Sequence, residues 1–178
     1  MSDILSDEKK WYVIQTVPRN ERKVVEQIMM KEVEVYLPQI QAMRIWSDRK
    51  KMIDVPLIPG YVFVHTSSRE ERIKAISNTL GAIRYLMYLQ RPAIVSDQEI
   101  QNIRISLQAP EKVKIEEKFI NVGDLVLITH GLFKGLTGYI SMLRGNYKLT
   151  VNIKELETAL SVQLSSSDVT LLKKLDQK

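Results

Sequence analysis

His65 and His130 are the only two imidazoles in the 178-residue chain, and there is no cysteine. Metal or general acid–base chemistry needs such groups in convergent sets, and two isolated histidines at the ends of strand-like runs leave a metal short of ligands. The lack of cysteine excludes disulfides and thiolate sites outright. Asp48 with Asp54, or Glu70 with Glu71, would offer an acid and a base, but neighbouring surface carboxylates are ordinarily solvated. Gly131-Leu132-Phe133-Lys134-Gly135 has the glycine spacing of a phosphate loop. It lacks the Gly-Lys-Ser/Thr ending and leads into a strand rather than a helix, so tight turns explain it better. The residue types therefore favour recognition over catalysis, with no enzyme activity, metal or cofactor expected.

The elements that would position a recognition surface fall into two textures. Trp11–Val17 is a β-branched and aromatic run, and after Pro18 the residues Val24, Val25, Ile28 and Met29 recur at helical spacing. Val33–Leu37 is short and β-prone, and Gln39–Leu57 has apolar ends around Asp48-Arg49-Lys50-Lys51, which predicts a hairpin with a basic tip. Pro59-Gly60 forces a turn into the alternating strand Tyr61–His65. A short helix over Arg69–Ser77, a strand over Ile83–Leu89 and a helix from Ser96 to residue 108 follow, the last with Ser96 and Glu99 at capping-box spacing. This order predicts an α+β layer with helices on one sheet face. Ala109–Lys118, opened by a proline and highly charged, reads as a linker.

From residue 119 the texture changes. Gly123, Gly131, Gly135, Gly138 and Gly145 are five of the seven glycines, so sharp turns concentrate here. Between them Asp124–Thr129, Gly138–Leu143, Tyr147–Ile153, Thr158–Leu164 and Val169–Leu172 are patterned as five short strands of a small barrel. The domains are expected at 1–108 and 119–178, joined by 109–118. Net charge is +5, split about evenly between them, which permits contact with nucleic acid without demanding it. The N-terminal decade is polar, so neither secretion nor a membrane span is indicated, and the expectation is a cytoplasmic monomer.

KWYVIQT near the N-terminus, IPGYVFV at 58–64, RPAIVSDQE at 91–99 and the terminal VGDLVLITHGLFKGLTG occur in the order and spacing of one family. The whole chain resembles the NusG transcription factors, and its terminal segment looks like their KOW motif. The resemblance implies an N-terminal NusG-type antiparallel sheet with helices and a C-terminal SH3-like KOW barrel. It also implies binding to elongating RNA polymerase, with effects on pausing and termination. The compact Leu37–Pro59 connection and the texture of VKIEEKFINVGDLVLITHGLFKG look most similar to the specialised paralogues, RfaH and the UpxY-type antiterminators. Operon-specific antitermination is the function this implies. RfaH carries a threonine-rich element where this chain has Arg72-Ile73-Lys74-Ala75, a departure that puts an identical contact in doubt. A ribosomal-type RNA-binding KOW protein is the competing reading, for which denser Lys/Arg is expected.

By position in the family pattern, Gln15, Ile58, Tyr61, Phe63, Tyr85 and Tyr88 are the implied polymerase-binding residues. The aromatics suit an interface because each buries a large area with few rotors. Arg44, Trp46, Arg49, Lys50 and Lys51 lie at the family's DNA-facing tip, where cations pair with phosphate and Trp46 stacks on an unpaired base. Arg72 and Lys74 are further nucleic-acid candidates. Phe133, Lys134 and Gly135 form the implied partner loop of the KOW domain, facing the ribosome or the Rho factor.

Overall fold

The structure is a computed structural model that describes residues 8–45, 50–116, 123–143, 146–165 and 172–174. Trp46, Asp48, Arg49, the linker end from 117 and the predicted strand positions 169–171 lie outside the described residues. The chain divides into two compact units, Met1–Asp97 and Gln98–Lys178.

In the first unit, strand β1 (Lys10–Thr16) is followed by helix α1 (Glu21–Met29), β2 (Glu34–Tyr36), β3 (Gln39–Ile45), β4 (Lys50–Pro56) and β5 (Tyr61–Thr66). Helix α2 (Arg69–Ile76), β6 (Ala82–Tyr85), β7 (Met87–Tyr88), β8 (Arg91–Pro92) and β9 (Ile94–Val95) complete it. The antiparallel sheet runs β2-β5-β1-β6, with β9 also on β1. Alternation in the two central strands sends Tyr12, Ile14, Val62 and Val64 to one face, where they pack with Val24 and Ile28 of α1 and Ala75 of α2. Helix α2 begins as the sequence demands: Ser68 Oγ accepts from the Glu71 N–H at 3.1 Å, and Glu71 Oε2 accepts from the Ser67 N–H at 2.7 Å. That backbone hydrogen bond from Ser67 holds the Glu71 carboxyl below its ordinary range, so Glu71 caps a helix rather than serving as an acid.

Among the described residues strands β3 and β4 form a two-stranded ribbon of their own, paired with no other strand. The predicted strand over 83–89 is interrupted instead. Leu89 and Gln90 turn the chain with φ of 48° and 63°, pairing Tyr88 with Arg91 in the small β7–β8 ribbon. A two-residue loop with both φ positive is the conformation that Asn-Gly occupies most readily and that Leu resists. Replacing Leu89 with Asn and Gln90 with Gly is therefore expected to raise the stability of the first unit by about 1 kcal/mol, measurable as a higher thermal midpoint.

The second unit opens with helix α3 (Asp97–Ser106), of which all but Asp97 belongs to it. Strands β10 (Val113–Glu116), β11 (Asp124–Ile128), β12 (Thr137–Leu143), β13 (Asn146–Ile153), β14 (Thr158–Leu164) and β15 (Leu172–Lys174) follow. They make one antiparallel sheet in the order β10-β14-β13-β12-β11-β15 around Ile128, Leu149, Ile153, Leu160 and Val162.

One segment takes a form the sequence did not suggest. The segment read as a linker is a short 3-10 turn (Pro110–Lys112) and then β10, in register with β14 from Val113↔Val162 to Glu116↔Ala159. Its alternating Val113 and Ile115 outweigh its charge. The division into compact units lies at Asp97/Gln98, and α3 is hydrogen-bonded to the β-domain that follows it. Thr137 N donates to Asn102 Oδ1 at 3.3 Å and Asn102 Nδ2 donates to Thr137 O at 3.2 Å, while Glu99 Oε1 accepts from Lys154 N at 3.1 Å.

Candidate protein and nucleic-acid interface

Register places Gln15 of β1 opposite Tyr61 of β5 on one side and Arg84 of β6 on the other. Cross-strand partners share a face, so Tyr61, Gln15 and Arg84 form one row across three strands. The row is held together by Arg84 Nε donating to Gln15 Oε1 at 3.0 Å. With Thr16, Pro59, Gly60 and Ile83 these residues line a cleft of about 410 Å³. Ile83 is 56 % exposed, and the nearby Val17 and Leu80 are exposed as well. Hydrophobic side chains left in water beside a concave, partly polar surface are the usual mark of a protein-binding site. Val17 and Ile83 carry a signal that sequence reasoning passed over, because apolar residues beside strand ends read as core.

The cleft's wall is a fixed turn. Gly60 adopts φ 84°, a region that glycine enters without the steric cost a side chain imposes. Its carbonyl accepts from the Thr16 N–H at 2.8 Å, and its own N–H donates to Glu21 Oε1 at 2.8 Å.

Of the six implied polymerase-binding residues, the structure brings Gln15 and Tyr61 to the cleft and leaves Tyr88 exposed on the β7–β8 ribbon. The other three are less open in the free protein. Phe63 is fully buried between Val13 and Tyr36, its cross-strand neighbours. Ile58 is buried too. Tyr85 packs against the helix-covered core, its hydroxyl donating to the Arg72 carbonyl at 2.8 Å, and burial pushes its phenol well above the ordinary value. Alternation marks both faces of a two-sided strand as apolar, and which of them meets solvent is decided by packing alone.

The basic candidates also separate. Arg44, Lys50 and Lys51 are exposed on the β3–β4 ribbon, together with Met43, Ile45 and Met52. Lys74 is exposed on α2. Arg72 is committed elsewhere: its guanidinium lies 4.7 Å from the centroid of the Tyr12 ring and donates to the Tyr12 hydroxyl at 3.2 Å, so it braces α2 on the sheet.

In the second unit Phe133 is 1 % exposed, and the Lys112 ammonium sits 5.8 Å from its ring centroid. A Cβ on Gly135 would meet Ile105 of α3 at 3.3 Å. The aromatic of the implied partner loop is thus packed inward, leaving Lys134 as the exposed member. The loop's N–H groups also turn inward, Lys134 N to Gly131 O at 3.2 Å and Gly135 N to Ile128 O at 2.8 Å. A phosphate loop would aim them outward.

Two of the remaining chemistry-bearing groups have structural partners. His65 stacks on Trp11 at 4.4 Å between ring centroids and lies 2.7 Å from Glu34. Asp54 pairs with Arg22 at 3.2 Å. Among the described residues no cluster of His, Cys, Asp or Glu could hold a metal ion, and no helix is long and apolar enough to cross a membrane.

Comparison with known proteins agrees with this architecture. A family model described as "Transcription termination factor nusG" matches residues 9–104, more than half of the chain. The chain is 25% identical to the transcription termination/antitermination protein NusG of Rickettsia bellii, over 95% of each protein. It is 27% identical to that of Lactococcus lactis, over 94% of this chain and 96% of the relative. A solved structure described as showing domain interaction in Thermotoga maritima NusG is similar with a TM-score of 0.51 and 28% identity, covering 95% of this chain and 98% of that one. With a family model matching more than half of the chain and relatives of that name aligned over nearly its whole length, the chain belongs to the NusG family of transcription termination/antitermination proteins.

Proposed function

We propose that the chain docks on RNA polymerase through the Tyr61–Gln15–Arg84 cleft, lays its β3–β4 ribbon against DNA of the elongation complex, and opposes termination at particular operons. The cleft is the observation that carries this. It combines concavity, a polar row fixed by the Arg84–Gln15 hydrogen bond and exposed Ile83, the features by which a protein surface receives a partner's side chains. Tyr61 is the expected hot spot, since a half-buried tyrosine on a rigid strand loses little entropy when covered. No bond is made or broken. The protein acts by bridging, so that the polymerase conformation that fits both surfaces is favoured by differential binding.

The specialised, RfaH- or UpxY-like assignment rests on the sequence texture of the 37–59 connection and of the terminal domain. On this reading the factor works as a cytoplasmic monomer, with the ribosome or Rho meeting the β-domain. In vitro transcription across a terminator, with and without the protein and Rho, tests it: increased read-through supports antitermination, increased termination reverses the sign, and no effect on polymerase refutes the assignment.

The ribbon makes a separate expectation. Reversing Lys50 and Lys51 to glutamate removes two exposed cations, and each cation withdrawn from a phosphate lowers both DNA affinity and its salt dependence. Crosslinking of the protein to DNA in the elongation complex is expected to fall severalfold while binding to free polymerase is retained. Equal reduction of both would place the ribbon on polymerase instead.

A further inference from the structure

Among the described residues the β3–β4 ribbon pairs with no other strand, and an isolated two-stranded ribbon is strongly twisted and only marginally stable by itself. Its pitch is therefore set at its root. There, Arg22 in the first turn of α1 reaches both strands. Its Nη2 donates to the Asp54 carbonyl at 3.0 Å and to Asp54 Oδ2 at 3.2 Å on β4. With the Gln39 amide turned so that its oxygen faces the guanidinium, that oxygen accepts from Nε at 3.0 Å and Nη2 at 3.2 Å on β3. One planar fork thus spans the two strands, which a lysine cannot do.

The residue before it, Glu21, is 3 % exposed and accepts from the Gly60 N–H in the turn that walls the cleft. A carboxylate in the first turn of a helix is favoured by the helix dipole, so Glu21 is a stable anchor. Between these two attachments runs the segment from Asp54 to Gly60. Leu57 and Ile58 are buried within it, and Leu57 N donates to Pro38 O at 2.8 Å.

We propose that Glu21 and Arg22 are positioning residues: consecutive side chains of one helical turn clamp the two ends of the 54–60 strut and so fix the ribbon's direction relative to the cleft. Arg22 and Asp54 are each about half exposed, so the pair adds little to net stability. Its role is geometric. A ribbon aimed correctly reaches nucleic acid when the cleft is occupied, and a swinging one reaches it rarely.

The chain has no cysteine, so spin labels can be installed at Met43→Cys on the ribbon and Met30→Cys just beyond α1, both exposed positions. The label-to-label distance distribution is expected to be narrow in the parent and to broaden roughly twofold in Arg22→Ala, as a ribbon freed at its root would. Arg22→Lys should fall between, and the thermal midpoint should barely move. Glu21→Ala should accelerate hydrogen exchange at the Gly60 amide, whereas Glu21→Gln, which keeps the acceptor, should stay near the parent.

The DNA arm rests on the proposed function: in Arg22→Ala, ribbon–DNA crosslinking should drop severalfold at unchanged polymerase affinity. If the parent fails to bind polymerase, that functional reading is lost while the distance measurement still judges the clamp. An unchanged distribution in Arg22→Ala overturns the proposal.

Discussion

Replacing Phe133 with alanine is expected to destabilise the second unit by about 3–5 kcal/mol, the cost of emptying a fully buried aromatic site that cannot collapse. Gly131 and Gly135 flank Phe133 in the chain, and their φ angles of 81° and 90° fix the loop. Ile105 lies against Gly135, and the Lys112 ammonium is near the ring. Backbone so constrained relaxes little into a cavity, which places the expected loss in the upper part of the range for large-to-small substitutions. Denaturant unfolding of the full chain, followed by circular dichroism, should show the transition of the β-domain moved to much lower denaturant while that of the first unit is retained. A Phe133→Ala protein with parent-like unfolding would return this ring to the role of a surface anchor. Lys134→Ala is the control. It removes an exposed side chain of the same loop and should alter stability by less than about 0.5 kcal/mol.

The second large effect is expected at the cleft. Tyr61→Ala and Ile83→Ala each remove an apolar body from a concave surface, and hot-spot truncations of this kind cost about 1–3 kcal/mol apiece. With tenfold in affinity for each 1.4 kcal/mol, the double variant should bind polymerase on the order of a hundredfold more weakly. Ile83 is largely exposed, so its truncation should leave folding intact. Tyr61 is half-buried, and its variant needs a thermal midpoint beside the affinity. Gln15→Ala, which frees Arg84 from its hydrogen bond, is expected to weaken binding less, through reduced pre-organisation. Full affinity in a folded double variant would remove the cleft from the functional reading.

Legibility from sequence followed physical cause. The strand KWYVIQT and the PGY turn were readable because β-branched runs and Pro-Gly have strong local preferences, and the ribbon's basic cluster because charge shows irrespective of packing. What escaped was decided at a distance. Phe63 and Phe133 lie in patterns that fit an interface as well as a core, and only neighbours such as Tyr36 and Lys112 settle which. The β7–β8 turn was invisible because Leu89-Gln90 carries none of the glycine or asparagine its backbone favours. Val113 and Ile115 lay hidden in a charged stretch until β14 supplied the partner strand. Glu21 and Arg22 looked like ordinary helix-surface charges. Their partners, Gly60 and Asp54, stand more than thirty positions away.

The strand registers also order events while the chain is being synthesised. Strand β1 emerges early but has no partner until β5 follows, and its pairing with β9, Trp11↔Val95, waits for nearly the whole first unit. The second unit waits longer. Strand β11 is flanked by β12 on one side and by β15 on the other, where Val126 meets Lys174, so its sheet stays incomplete until residues 172–174 have been added. Assembly governed by such distant pairings is slow, in the millisecond-to-second range. The first unit can therefore be in place while the second still lacks its last strand, and a nascent chain halted there would display β11 with one bare edge ready to join another chain.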